Sequence, residues 1–60
     1  MTIEIVVLVI QMQLADGTIW QDRYRYEHQY AYSKCLMYRR EIEKRQDYVW
    51  ADNRCIFQES

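Results

Sequence analysis

The stretch from Ile3 to Leu14 constrains this chain's fold more than anything that follows it. Its even positions Val6, Leu8, Ile10, Met12 and Leu14 make one unbroken apolar row, while the odd positions Ile3, Ile5, Val7 and Val9 are apolar only until Gln11 and Gln13. A period of two marks a β-strand, since successive side chains point to opposite faces of a sheet. The first half of this strand is apolar on both faces, which suits the middle of a sheet covered twice. The run Ile5–Ile10 is far shorter than the ~20 residues that span a bilayer. No basic segment precedes it and Glu4 stands where a signal peptide carries Lys or Arg, so no export signal is read. The expected setting is the cytoplasm, with no membrane partner.

Asp16-Gly17 follows directly and is the strongest turn signal in the chain, because Gly accepts the positive φ of a tight turn and Asp tolerates it. A second strand is expected over Thr18–Tyr26, alternating Trp20, Asp22, Tyr24, Tyr26 against Ile19, Gln21, Arg23, Arg25, with the charges of an edge strand. From about His28 to Gln46 the period changes. Ala31, Cys35, Tyr38 and Ile42 recur at helical spacing, and Glu41 with Arg45 makes a favourable i,i+4 pair. No Ser, Thr, Asp or Asn marks the helix start, and Asp47 stands near its expected end. Asp52-Asn53 then reads as a turn and Arg54–Gln58 as a last strand.

This ββαβ order predicts an α+β fold in a single domain over residues 1–60: a three-stranded mixed or antiparallel sheet, order 2-1-3, with one helix packed on one face. The last strand pairs with the free edge of the first and runs parallel to the second through a right-handed crossover. One helix covers one face only. Ile3, Ile5, Val7 and Val9, or the even row, are then left facing water, a patch that soluble monomers rarely show. A homodimer through that sheet face is expected.

Sixty residues carry one small core, and a chain of this size hides only about 60% of the surface its unfolded form exposes. Fifty per cent hydrophobic content argues against disorder. The net charge of -1 conceals a polarity: residues 23–45 hold seven Lys/Arg against three Glu, a local +4, and the rest holds one Arg against six Asp/Glu, a local -5.

Little here suits catalysis. His28, Cys35 and Cys55 are the only nitrogen and sulfur ligands, with no Cys-x2-Cys pair, so no metal and no cofactor are expected. Cys35 lies on the sheet-facing side of the helix and Cys55 on a strand face that can meet it. Two accounts stand: reduced core thiols, favoured in a cytoplasm, or a disulfide worth about 3 kcal/mol from the loop it closes. A single His, a single Gly and no room for a cleft give no nucleophile or phosphate loop, and the chain reads as not an enzyme.

At about 100° per residue, Tyr26, Tyr30, Ser33, Met37, Arg40 and Lys44 fall together opposite the helix's core side. Tyr, Met and Arg are enriched at protein interfaces, so Tyr26, Tyr30, Met37, Arg40 and Lys44 are the candidate protein-binding stripe. The plainer account is a solvated helix face. The same residues with Arg23, Arg25 and Arg39 suit single-stranded nucleic acid, where rings stack on bases and cations meet phosphates. The net charge ranks nucleic acid below protein as a partner.

In layout the chain resembles a class of short, uncharacterised ββαβ proteins of bacteriophage and bacterial genomes. The features carrying the resemblance are an Ile/Val-rich strand ending in Leu14-Ala15-Asp16-Gly17-Thr18-Ile19-Trp20, a helix carrying Cys35 after an aromatic-rich entry, and a late Cys55 followed by Ile56. The resemblance implies a small accessory protein that binds and redirects a host protein. It brings no catalytic residues.

Overall fold

The computed structural model describes residues 2–58. The elements run β1 (Glu4–Leu14), β2 (Ile19–His28), α1 (Ala31–Glu43), β3 (Tyr48–Ala51) and β4 (Arg54–Phe57). The fold is α+β, with β1 at the centre of an antiparallel sheet, β2 on one side of it and both β3 and β4 on the other.

The hairpin forms where expected. Gly17 takes φ +92°, Gly17 N–H donates to the Leu14 carbonyl at 2.9 Å, and Thr18 N–H donates to Asp16 Oδ1 at 2.9 Å. That local bond to Asp16 also holds its carboxyl below the usual carboxylate range. From this turn β1 and β2 pair without a break from Gln13↔Ile19 to Glu4↔His28.

Four strands replace the expected three, yet the architecture survives. β3 and β4 run along the same edge of β1 in one register from Gln13↔Trp50 to Val6↔Phe57, with Met12 opposite Ala51 and Val9 opposite Arg54, and the register shifts only at Leu14↔Tyr48. They are one edge strand interrupted at Asp52-Asn53. That pair is therefore not a reversing turn, and the chain continues through it in the same direction. Asp52 N–H still donates to the Gln11 carbonyl at 2.7 Å, but the Gln11 N–H is satisfied by Asn53 Oδ1 at 3.2 Å instead of by backbone. A side-chain amide thus closes the gap in the ladder.

The helix starts later and ends earlier than its periodicity suggests. Pairing with Glu4 carries β2 through His28, and Tyr30, at φ -119° and ψ 38°, stands outside the helix as a cap residue with no side-chain cap bond. The missing cap comes from another element: Glu4 Oε1 of β1 accepts from the Tyr32 N–H at 3.1 Å, placing a carboxylate at the positive end of α1. At the other end, Asn53 Nδ2 donates to Glu43 Oε2 at 2.9 Å and the Tyr48 hydroxyl donates to the Glu43 carbonyl at 3.4 Å.

The helix lies on the even face of β1. Val6, Leu8, Ile10 and Met12 are each fully buried there against Ala31, Cys35 and Ile42, with Trp20, Tyr24, Tyr26, Tyr32 and Tyr48 packed around them. Cys35 and Cys55 are joined in a disulfide, Cα–Cα 6.1 Å, which pins α1 to β4. The expectation of reduced thiols is overturned. Cys55 sits opposite Leu8, so its side chain points under the helix, where Cys35 takes its place on the inner side.

Candidate interaction surface

One layer of helix on one side leaves the other side of the sheet bare. The molecule is a plate of 44 × 19 × 11 Å with a radius of gyration of 12.7 Å, against about 10 Å for a compact chain of this length. The open face carries the odd positions of β1. Ile5, Val7 and Val9 are half-buried only by the strands flanking them, and Ile3 is 56% exposed. Ile56 of β4, opposite Val7, extends this apolar area, and Ile19 and Trp50 flank Gln13 at the far end. All four residues expected at a dimer face thus share the uncovered side.

Arginines rim this area from both edges. Arg23 and Arg25 of β2 stand opposite Val9 and Val7, and Arg54 stands opposite Val9 from the other side. Arg25 is ion-paired with Glu27, and Arg54 forks onto Asp52 at 2.9 and 3.3 Å. Asp52 raises the affinity of that guanidinium for its proton. Arg23 makes no ion pair among the described residues. Shallow hollows beside Val9, lined by Gln11 and Arg23, are open to solvent.

The helix stripe assembles in part. Met37 and Arg40 stand on the outer face of α1 and Tyr30 just before its first turn, with Tyr30 64% and Met37 60% exposed. Lys44, at the helix end, is paired with Glu41 at 2.9 Å. Tyr26 does not belong to this stripe. It lies on β2 on the covered face, edge-on to His28 and packed against the core, and burial pushes its phenol above the ordinary range. Helical periodicity extended one turn past the true helix start misplaces it. The signal that locates it is the period-two alternation of Trp20, Asp22, Tyr24 and Tyr26, which continues to His28. Arg39 likewise stands apart from Arg40. It is one turn on from Cys35, half-buried, with its Nε buried and unpartnered.

The groups considered for chemistry are dispersed. Both sulfur atoms are engaged in the disulfide and His28 ends β2, so the three do not form a ligand set. Among the described residues no helix is long and apolar enough to cross a membrane. Compared with family models, curated proteins and solved structures, the chain matches none.

Proposed function

We propose that this chain is a small non-enzymatic interaction module: two copies associate through the open sheet face, leaving the stripe of each helix free for a protein partner. The observation that carries this reading is the uncovered apolar column Ile3, Ile5, Val7 and Val9, extended by Ile56, on a sheet whose central strand is fully buried on its opposite side from Val6 to Met12. A strand apolar on both sides gains by burying both, at about 25 cal/mol per Å² of apolar surface removed from water. With the helix committed to one side, a second copy of the chain is the layer this reading assigns to the other.

On this reading the outward Tyr30, Met37 and Arg40 engage the partner. Arg40 and the neighbouring Lys34 make no ion pair among the described residues, so the partner surface they fit is apolar with acidic neighbours. In a phage-type accessory protein that partner is a host protein, reached in the host cytoplasm. A cytoplasm holds thiols reduced, so the fraction of Cys35–Cys55 oxidised in cells reports on the compartment.

Light scattering coupled to size exclusion tests the reading. The expected result is twice the chain mass at tens of micromolar, and a strict monomer there refutes it. A salt-titrated shift assay with single-stranded DNA tests the competing use of the stripe: micromolar binding that falls steeply with salt would make the module a nucleic-acid-binding accessory protein instead.

A further inference from the structure

The open face resolves into rows running across the sheet, each about 7 Å from the next because like-facing residues are two apart. One row holds Glu27 of β2, Ile5 of β1 and then Gln58, whose N–H donates to the Ile5 carbonyl at 2.9 Å. The next holds Arg25, Val7 and Ile56, and the third Arg23, Val9 and Arg54. Ile3 lies before the first of these rows; beyond the last come a polar row of Gln21, Gln11 and Asp52 and then Gln13 flanked by Ile19 and Trp50. The apolar column therefore has its midpoint between Ile5 and Val7. At that same level the Arg25–Glu27 ion pair lies along β2, a charge couple pointing down the strand.

We infer that a second copy of this chain covers the face with its strands reversed, about a two-fold axis crossing the sheet between Ile5 and Val7. This rests on the self-association proposed above and adds its register. Reversal about that axis sets Ile5 over Val7 of the partner and Ile3 over Val9, so every apolar residue of the β1 column meets another, while Ile56 falls over the partner's Gln58. It also sets Arg25 over the partner's Glu27 and Glu27 over the partner's Arg25, turning two separate ion pairs into a ring of four alternating charges.

Two other two-fold arrangements fail on the same rows. An axis along the strands puts Arg23 over Arg54 and Arg25 over Ile56, which is like charge on like charge and a cation on an apolar side chain. Moving the crossed axis to Val7 sets Arg25 over Arg25 and Ile3 over Gln11. Hydrophobic overlap and charge complementarity thus select one register independently. Four rows on a plate 19 Å wide cover about 500 Å² per partner, near the ~1,000 Å² total below which specific interfaces are rare. An interface of that size belongs with weak, transient associations.

Three variants and one mixture test the register by sedimentation equilibrium and native mass spectrometry at low salt, with circular dichroism confirming each fold. Arg25→Glu places four acidic groups around the axis and Glu27→Arg places four basic ones, so each variant alone should dimerise at least tenfold more weakly than the parent. Mixed in equal amounts they should form a heterodimer of near-parental affinity, because each chain then supplies what the other lacks and neither holds an ion pair of its own. Val7→Lys should abolish association. A dimer broken by Val7→Lys but with no heterodimer in the mixture overturns the register and leaves the proposed function standing. A heterodimer that survives Val7→Lys in both chains points to pairing along the free edge of β2 and overturns both. A parent chain strictly monomeric at tens of micromolar overturns both as well.

Discussion

The two faces of β1 are built from the same kinds of residue and have opposite fates. Val6, Leu8, Ile10 and Met12 have no exposed surface, whereas Ile5, Val7 and Val9, interleaved with them, are covered only at their flanks. Side-chain hydrophobicity does not distinguish the rows. What does is the single helix, together with the disulfide, the Glu4 cap and the Asn53 bridge that fasten it to the even side. The odd row turns polar at Gln11 and Gln13 and the even row does not. The helix has taken the longer apolar row and left the shorter one for association.

Leu8→Ala and Val7→Ala break or sharpen this contrast most directly. Leu8 is fully buried under the helix, and its truncation removes transfer energy and leaves a cavity, at a cost of about 2–5 kcal/mol. In a domain this small that approaches the whole stability. Val7→Ala should cost the monomer less than about 1.5 kcal/mol and act mainly on association. Urea denaturation at sub-micromolar concentration, where the chain is monomeric, checks both, and equal losses would erase the distinction between the faces.

Reducing the disulfide acts next. Closing a loop across a separation of 20 residues is worth about 3 kcal/mol in the chain-entropy model. Loss of that term should lower the melting temperature by on the order of 15 °C in a chain of this size. If the midpoint is unchanged by a reductant, the covered face is held by packing alone and the disulfide contributes nothing to its rigidity.

The hairpin, the helix, the place of β1 and the parity of the last strand were all legible from period and turn chemistry. Three features were not, because each depends on a partner distant in sequence. The helix start lacks a local cap since Glu4, on another element, provides it. Asp52-Asn53 has the composition of a turn, and only the polar backbone of Gln11 across the sheet makes it a jog in a continuous strand. Tyr48–Ala51 becomes a strand because the edge of β1 continues beyond β4 and needs a partner there. At the candidate surface, Ile3, Ile5, Val7 and Val9 could be listed from sequence as one of two rows. Choosing between the rows required the helix position. Tyr26 was misplaced because a 100° period and a period of two both fit its neighbours for one turn.

Asn53→Ala tests the fastening of the helix more gently. Asn53 is 8% exposed and joins Gln11 of β1 to Glu43 of α1. Removing it strands a ladder N–H and a carboxylate contact, at about 1–3 kcal/mol. Hydrogen exchange should show the Gln11 amide losing protection while Leu8 keeps its own. Uniform loss along β1 would mean that the bridge holds the whole covered face and not just its end.

The smallest effect concerns the margin of the covered face, where β2 passes the helix. Tyr24 donates its hydroxyl to Asp22 Oδ2 at 2.9 Å and meets the Tyr38 ring edge-on at 5.5 Å. That hydrogen bond, then burial, then the Asp22 charge push the Tyr24 phenol up to about 12. The Asp22 carboxyl is held below its ordinary range, chiefly by the same bond and next by the Arg23 N–H. A phenol whose folded pKa is raised stabilises the fold fully below its unfolded value near 10 and loses that contribution as pH climbs toward 12. A carboxyl whose pKa is depressed contributes above its unfolded value near 4 and loses that contribution as pH falls below it. The link is thus intact across neutral pH and fails at both extremes. In an alkaline titration followed by tyrosinate absorbance, the Tyr24 phenol should ionise only toward about 12, and Asp22→Asn should bring it down toward the ordinary phenol range near 10. A Tyr24 phenol that Asp22→Asn leaves unmoved would mean that the covered face is no better ordered at its margin than the open one.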